Sequence, residues 1–329
     1  MFLGVEIGGT KLQLGVGDGS GPPLIELVRL DVIGADGAQG ILAQIRTAAR
    51  ALIVKHAVNR VGFGFGGPID ATGLRTVKSH QVNGWDDFPL AEWCQRELGL
   101  PAVLGNDADL GGLAEAHYGA GRNYNPIFYI TVGTGIGGGF IVDRHVYRGG
   151  GHGAAELGHL RPGVKATDPH DTLESHAAGP GIAATMRRRL AQLPSTDDRN
   201  ARDLVARCGG NLELLTAKIV GEAASAGNQL AMVSLQESLR VLGWAIAQMI
   251  TILAPAAVLI GGGVSLMGEE LFFVPVCREV ERYVFPPFRG TYRIMPAQLG
   301  EEMVVHGALA LAANADNITP NVKGRMTHY

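Results

Sequence analysis

Apolar and polar residues change their spacing repeatedly along the chain, and this pattern predicts the secondary structure. Short apolar runs bounded by glycine and polar residues predict strands, whereas apolar residues three to four positions apart predict helices. Ile41, Ile45, Ala48 and Leu52 have the helical spacing and predict a helix around residues 36–57. The other elements predicted in the first half are strands near 2–7, 11–18, 24–32, 60–65 and 102–104 and a short helix near 89–98.

The second half of the chain repeats this plan. Its predicted elements are strands near 126–132, 138–143 and 144–148, a helical insertion over about 174–254, a strand at 257–260, a helix near 269–284, a strand at 292–295 and a closing helix near 301–313. Because strands alternate with helices in both halves, we expect an α/β protein with largely parallel sheets and helices on their faces.

This repetition also predicts the domain organisation. We expect an N-terminal α/β domain at residues 1–118 and a C-terminal α/β domain with the helical insertion at 119–300. The closing helix is expected to pack back on the N-terminal domain. Residues 314–329 are polar, contain glycine and proline, and are expected to form a flexible tail.

Two glycine-rich turns occupy equivalent places in the two halves. Each is predicted to join antiparallel strands and to expose backbone N–H groups that a phosphate can approach without meeting a side chain. The candidate phosphate-binding residues are Gly8, Gly9, Thr10 and Lys11 in the first turn and Gly133, Thr134 and Gly135 in the second. A pair of such turns predicts a nucleotide held from both halves, and hence phosphoryl transfer. The glycine spacing of the second turn also occurs in dinucleotide-binding motifs, but a strand and not a helix is predicted after it.

Composition narrows the classes of function. The 329 residues include 28 basic and 31 acidic side chains, which gives no basic surface of the kind that nucleic acid or an anionic membrane requires. No apolar run is long enough to span a membrane, and the first residues lack the features of a signal peptide. Cys94, Cys208 and Cys277 are far apart and odd in number, so no disulfide framework is expected. We therefore expect a cytoplasmic protein.

Six motifs in a fixed order add a family resemblance. They are Glu-Ile-Gly-Gly-Thr-Lys, Gly-Phe-Gly-Gly-Pro-Ile-Asp, Asn-Asp-Ala, Thr-Val-Gly-Thr-Gly-Ile-Gly-Gly-Gly, Glu-Leu-Gly-His and Leu-Ile-Gly-Gly-Gly-Val-Ser. In this order the chain resembles the ROK family (repressors, open reading frames, kinases), which includes sugar kinases. The resemblance implies a two-domain actin-like ATPase fold, related to ribonuclease H, in which each half is a mixed sheet flanked by helices. Family repressors carry an N-terminal helix-turn-helix, which we do not expect here because the first glycine turn comes only a few residues into the sequence.

Asn106 and Asp107 are the candidate catalytic pair. They follow the strand at 102–104 and open a helical stretch, where the helix dipole favours an ionised carboxylate. Such a carboxylate can accept the proton of a sugar hydroxyl during phosphoryl transfer, although both residue types are also favoured simply as helix N-caps. The resemblance implies that Asp107 is the catalytic base and that Asn106 binds the sugar.

Further sugar-binding residues are implied by the resemblance. Glu156 and His159 are three positions apart and would project from one face of a short helix, although a solvated Glu and a surface His are the commoner outcome for isolated residues. The resemblance assigns both to the sugar, together with Glu174. It also places Gly67 and Asn83 in loops that wall the sugar pocket, while glycines near residue 67 can equally serve close strand packing.

The remaining candidates concern ATP and metal. The resemblance places Gly261, Gly262 and Gly263 against adenine, where a plain strand-to-helix turn is the alternative. Glu6 is implied to lie near Mg²⁺ and to hold it through water, since that ion keeps much of its hydration. Without the resemblance, Glu6 is simply a charged residue at a strand end. Lys11 either offers its charge to phosphate or is solvated.

A departure from the family concerns zinc. Many members have a cysteine-rich zinc motif between the His and the later Glu, but residues 160–173 contain no cysteine. Asp168, His170 and Asp171 are possible ligands there, yet they cannot replace thiolates with the same affinity. We therefore expect no structural zinc.

Together these features predict an ATP- and Mg²⁺-dependent kinase of a hexose or N-acylhexosamine. The resemblance implies the C6 hydroxyl as acceptor, a sugar site from which domain closure excludes water, and a homodimer. One alternative is a sugar-binding regulatory protein or pseudokinase with little turnover, prompted by the missing zinc motif. Another is a glucokinase that uses polyphosphate, because some relatives with that donor also lack the cysteines.

Overall fold

The computed structural model describes residues 1–79, 81–150, 153–193 and 198–315. The chain divides into two compact units. Unit 1 contains Met1–Arg122, Arg144–Ala154 and the described residues from Leu299 onwards, and unit 2 contains Asn123–Asp143 and Ala155–Gln298. The predicted flexible tail at 314–329 lies almost wholly outside the described residues. Within the described ranges, no helix is both long and apolar enough to cross a lipid bilayer.

Unit 1 is built on a five-stranded mixed sheet with the strand order β3-β2-β1-β4-β5. Its strands are β1 (Phe2–Ile7), β2 (Lys11–Gly17), β3 (Glu26–Asp31), β4 (Arg60–Phe65) and β5 (Ala102–Asn106). Strand β1 runs antiparallel to β2 and parallel to β4, and β4 runs parallel to β5. In this register Ile7 lies opposite Phe65, and Phe65 lies opposite Asn106. The first glycine turn and the Asn106-Asp107 pair therefore leave the sheet at the same edge.

Ten α-helices surround the two sheets in the described part of the chain. Numbered along the whole chain, they are α1 (Gly37–His56), α2 (Leu90–Leu98), α3 (Asp107–Tyr118), α4 (Leu173–Ala177), α5 (Gly179–Ala191), α6 (Arg199–Arg207), α7 (Ala217–Ser225), α8 (Gln229–Leu253), α9 (Val274–Tyr283) and α10 (Met303–Ala313). The predicted helical insertion corresponds to α4–α8. The predicted helix at 269–284 begins as a π-helical turn, Glu269–Phe273, before α9.

Helix α10 packs closely against α3 and the sheet of unit 1. A Cβ atom on Gly62 of β4 would overlap the carbonyl oxygen of Ala308, and one on Gly307 would overlap that of Leu110. Glycine at these two positions lets the backbones of β4, α10 and α3 approach one another. The small residues bring α10 close to the strands that carry the site.

Unit 2 contains a second mixed sheet, in which four strands follow the order β10-β9-β6-β7. The strands of the second half are β6 (Ile127–Val132), β7 (Ile136–Val142), β8 (His145–Val146, within unit 1), β9 (Ala257–Gly261) and β10 (Arg293–Pro296). Strand β6 is antiparallel to β7 and parallel to β9, so Thr131 lies beside Gly261. The second glycine turn and Gly261–Gly263 therefore leave the sheet at one edge. The strand predicted near 144–148 is only two residues long.

In each unit, apolar side chains of the sheet pack against apolar side chains of the helices and form a core. In unit 2 the core includes Phe128 and Ile130 of β6 together with Leu239 and Ile246 of α8, and all four are nearly or fully buried. In unit 1 Val5 and Phe63 pack with Ile45 of α1. Burial of these side chains holds the strands in register and thereby sets the position of the turns at their ends.

Candidate active site

Asn106 ends β5 and caps α3. Its Oδ1 accepts the N–H groups of Ala108 at 2.9 Å and Asp109 at 3.4 Å, and its Nδ2 donates to the carbonyl of Gly67 at 3.1 Å. The N-cap alternative therefore holds for Asn106 in this structure. The same amide joins the start of α3 to the loop after β4, so two of the predicted sugar-binding residues, Asn106 and Gly67, are in contact.

Asp107 is the first residue of α3 and is partly buried. Its Oδ1 accepts the N–H of Ala108 at 2.8 Å, and its Oδ2 lies 3.6 Å from the position that a Cβ on Gly66 would take. The N–H of Gly66 in turn donates to the carbonyl of Ile7 at 3.0 Å. The predicted base thus lies at a helix N-terminus, which favours the ionised carboxylate, beside the loops that follow β1 and β4.

The first glycine turn is tight and has a side-chain neighbour that the sequence analysis did not name. The N–H of Gly8 donates to the carbonyl of Lys11 at 3.0 Å and closes the turn. A Cβ on Gly9 would collide with the side-chain amide of Gln81, so Gln81 lies directly against the turn. The predicted Asn83 is exposed, as Gln81 is, and its backbone carbonyl accepts the N–H of Ala38 at the start of α1. In the sequence, the only sign of the contact between Gln81 and the first glycine turn is that Gln81 is a polar residue near Asn83.

Glu6 lies at the end of β1 within a group of charges. Burial raises the pKa of its carboxyl group, the nearby carboxylates of Asp107 and Glu301 add to that effect, and Lys11 and Gln13 oppose it. The Nζ of Lys11 is 3.8 Å from Glu6 Oε1, so the predicted phosphate ligand pairs with the predicted metal ligand. Among the described residues, no three His, Cys, Asp or Glu side chains are arranged to hold a metal ion. A single carboxylate such as Glu6 could serve only an ion that keeps most of its ligands as water or phosphate, which is the usual mode for Mg²⁺.

The second glycine turn is supported from α4 and α5. The N–H of Gly133 donates to the carbonyl of Gly135 at 2.9 Å, and the N–H of Gly179 donates to the carbonyl of Gly133 at 2.8 Å. Glu174 Oε2 accepts the N–H of Ile136 at 2.8 Å, and a Cβ on Gly135 would lie only 2.6 Å from that oxygen. Glu174 thus contacts the second glycine turn, a partner that the assignment to the sugar did not anticipate.

Gly261–Gly263 continue directly from β9 beside this turn. Gly262 has a φ of +89°, and a Cβ there would lie 2.5 Å from the carbonyl oxygen of Val132, so the position requires glycine. Gly263 has open space where its Cβ would be. Gly262 therefore fits the strand-to-helix turn, and Gly263 leaves backbone surface open for a flat ring.

Glu156 precedes a short 3₁₀-helix, Leu157–His159, and His159 is its last residue; both side chains are exposed. The N–H of His159 donates to the carbonyl of Glu156 at 3.2 Å. Ala155 precedes them with a φ of +64°, which is a strained conformation for a residue with a Cβ. The turn leaves both side chains accessible to a ligand as well as to solvent.

The loop that takes the place of the zinc motif is closed by hydrogen bonds. The N–H of Leu173 donates to the carbonyl of Leu160 at 2.7 Å. Two of the possible ligands are already engaged, because Asp171 Oδ1 lies 2.6 Å from His176 Nε2 and Asp168 Oδ1 accepts the N–H of His170 at 2.8 Å. These contacts order the loop through protein groups.

Comparison with known proteins gives consistent results. The sequence matches the ROK family over residues 2–315. A glucokinase from Thermotoga maritima is 30% identical over 316 residues, which are 94% of this chain and 96% of that protein. A solved ROK family glucokinase from Streptomyces griseus, in complex with glucose and AMPPNP, has a TM-score of 0.78 and 30% identity and covers 94% of this chain and 98% of its own. A solved ROK hexokinase from Thermus thermophilus has a TM-score of 0.76 and 26% identity and covers 96% of this chain and 99% of its own. The predicted fold of two mixed sheets flanked by helices is confirmed.

Proposed function

The chain belongs to the ROK family and is an ATP-dependent sugar kinase, and we propose that it phosphorylates a hexose or N-acylhexosamine at the C6 hydroxyl with Asp107 as general base. The observation that carries this proposal is the position of Asp107. Its carboxylate lies at the N-terminus of α3, on the sheet edge where the first glycine turn and the Gly66–Gly67 loop also end.

The proposed chemistry starts from the charge of Asp107. The helix N-terminus favours a negative charge, and an ionised Asp107 can orient the sugar hydroxyl and take its proton as the oxygen attacks the γ-phosphorus. Binding of the sugar is assigned to Asn106 and Gly67 beside it and to Asn83, Glu156, His159 and Glu174. Asn106 can serve two purposes, because its amide caps α3 and still has a second Nδ2 hydrogen to donate.

The nucleotide is assigned to backbone groups of the glycine-rich segments. We propose that N–H groups of the turns at Gly8–Lys11 and Gly133–Gly135 hold the phosphates and that Gly261–Gly263 accept adenine. Mg²⁺, when bound with ATP, offsets the phosphate charge, and Glu6 would hold it through water. A Cβ at Gly9 would displace the end of the Gln81 side chain, and one at Gly135 would displace the Glu174 carboxylate that accepts the N–H of Ile136.

Location and assembly complete the proposal. Cys94 and Cys208 are buried free thiols and Cys277 is a partly buried one, which supports a reducing compartment, the cytoplasm. Burial raises the pKa of Cys94 to about 12, so it is an inert core thiol and not a nucleophile. We further propose a homodimer, which the family resemblance implies, and light scattering would measure its mass. The balanced charge supports a protein that binds neither nucleic acid nor membrane.

The two alternatives remain experimentally distinct. Relatives named as glucokinases span nearly the whole chain, and one of their solved structures holds an ATP analogue, which favours turnover with ATP over a regulatory role or a polyphosphate donor. A coupled assay over a panel of sugars, with ATP and polyphosphate in competition, separates these cases. Sugar binding without product would indicate the regulatory protein.

Asp107→Asn tests the catalytic assignment. The amide keeps the shape of the side chain but cannot accept the proton, so kcat should fall by about 10²–10⁴-fold while sugar affinity is retained. Asp109→Asn is the matched control, because it removes the other carboxylate from the first turn of α3 and should leave kcat within a few-fold of wild type. Activity of Asp107→Asn close to that of wild type would exclude Asp107 as the base.

A further inference from the structure

Gln13 is a polar residue between two buried leucines of β2. Its neighbours along β2, Leu12 and Leu14, are fully buried, and so is Gln13 itself. A buried amide is costly unless it is hydrogen-bonded. Its presence at this position therefore requires partners.

Those partners lead to the proposed metal ligand. Gln13 is paired with Glu6 across the β1–β2 ladder, and its Nε2 donates to Glu6 Oε2 at 2.6 Å. The same Nε2 donates to the backbone carbonyl of Glu301 at 3.0 Å. Gln13 Oε1 accepts from Nε of Arg29 at 3.2 Å. Both Nε2 hydrogens and the carbonyl oxygen are thus used.

Arg29 determines which way the amide points. A guanidinium group can only donate, so the atom that faces Arg29 must be Oε1, and Nε2 is then directed at Glu6. Arg29 is itself held by Glu302, whose Oε1 lies 2.7 Å from Arg29 Nη2. Reversal of the Gln13 amide would place its carbonyl oxygen against the Glu6 carboxylate.

We propose that Gln13 is a positioning residue for phosphoryl transfer, which holds the Glu6 carboxylate toward the Mg²⁺–nucleotide, and that Arg29 sets the orientation of its amide. This inference rests on the proposed function, in which Glu6 serves the metal. Glu6 needs such support because its side chain is only 14% exposed and the Nζ of Lys11 lies as far as 3.8 Å from its carboxylate. A glutamate reaches one methylene further than an aspartate, and the hydrogen bond from β2 removes that extra freedom.

The test compares binding of AMPPNP with and without Mg²⁺ by calorimetry in wild type and in Gln13→Leu. A hydrogen bond to a charged group is strong enough that its loss should reduce the gain in affinity on adding Mg²⁺ by about tenfold. Affinity for the metal-free nucleotide and for sugar should stay within about twofold. In a kinase assay the Mg²⁺ concentration for half-maximal rate should rise in parallel.

Three further variants sharpen the test. In a Glu6→Gln background Gln13→Leu should cause no additional loss, since the group that it positions is gone. Arg29→Met should also reduce the gain in AMPPNP affinity on adding Mg²⁺, but by less than Gln13→Leu does. If Gln13→Leu does not fold, Arg29→Met replaces it as the test variant, because Arg29 is 53% exposed and its replacement should not prevent folding. Gln44→Leu, which removes a hydrogen bond from α1 to the Asp31 carbonyl, is the control and should change neither affinity.

The outcomes separate this inference from the proposed function. Absence of sugar phosphorylation by the wild type with ATP and Mg²⁺ would overturn the proposed function. Normal phosphorylation, with an unchanged Mg²⁺ effect in Gln13→Leu or, failing that variant, in Arg29→Met, would overturn the positioning role alone. Equal losses for sugar, metal-free nucleotide and Mg²⁺–nucleotide would also overturn it, because they would indicate a general packing defect.

Discussion

At the residue scale, His306 is a buried histidine on α10 that should make stability depend on pH. Its Nδ1 has no hydrogen-bond partner among the described residues, and its Nε2 lies 4.0 Å from Glu302. Burial lowers its pKa below the ordinary value of 6.5, and the opposing effect of Glu302 is smaller. The unfolded chain therefore takes up the proton at a higher pH than the folded chain. It follows that the folded state loses stability as pH falls below about 6.5.

His306→Leu should remove part of this dependence. Urea unfolding at pH 7.5 and pH 5.5 should show a smaller loss of unfolding free energy in the variant than in the wild type. Some dependence should remain, because burial also lowers the pKa of His117. Identical losses in both proteins would contradict the assignment to His306.

At the scale of elements, the contact between α3 and α10 depends on Gly307. Helix propensity alone predicts that Gly307→Ala stabilises α10 by up to about 1 kcal/mol. However, the new Cβ would overlap the carbonyl oxygen of Leu110 in α3, and a backbone atom cannot move aside cheaply. We therefore expect the steric effect to exceed the propensity, with a net destabilisation of about 1–3 kcal/mol in the free energy of unfolding.

Denaturant unfolding measures the effect of Gly307→Ala, with Gly34→Ala as the matched control. Gly34 is exposed and a Cβ there would meet nothing within 4 Å, so this change should be nearly neutral. Stabilisation by Gly307→Ala would contradict the close approach of α10 to α3 at this position.

At the scale of the whole molecule, metal content separates two kinds of site. A structural zinc needs four well-placed ligands, and the loop at 160–173 is ordered by the Leu173–Leu160 and His176–Asp171 contacts instead. Elemental analysis of the purified protein should therefore find no stoichiometric zinc, and a zinc chelator should not change its melting temperature. EDTA should still abolish turnover, because the Mg²⁺ that accompanies ATP is exchangeable. About one zinc per chain would contradict this and would direct attention to Asp168 and His170.

Local patterns in the sequence were sufficient to predict much of this protein. Hydrophobic period and glycine placement depend on neighbouring residues, so they predicted the strands, most helices and both glycine turns. They also predicted that Asp107 follows a strand and opens a helix. The order of six motifs then identified the family and a kinase activity.

Contacts between distant residues were decided only by the tertiary structure. Strand register brings Gln13 to Glu6, a loop places Gln81 on Gly9, and α4 delivers Glu174 to the N–H of Ile136. None of these pairs has a local signature, because sheet pairing and helix packing set their distances. A buried glutamine or histidine likewise shows its role only when its neighbours are known, since the cost of burying a polar group depends on which partners the fold supplies.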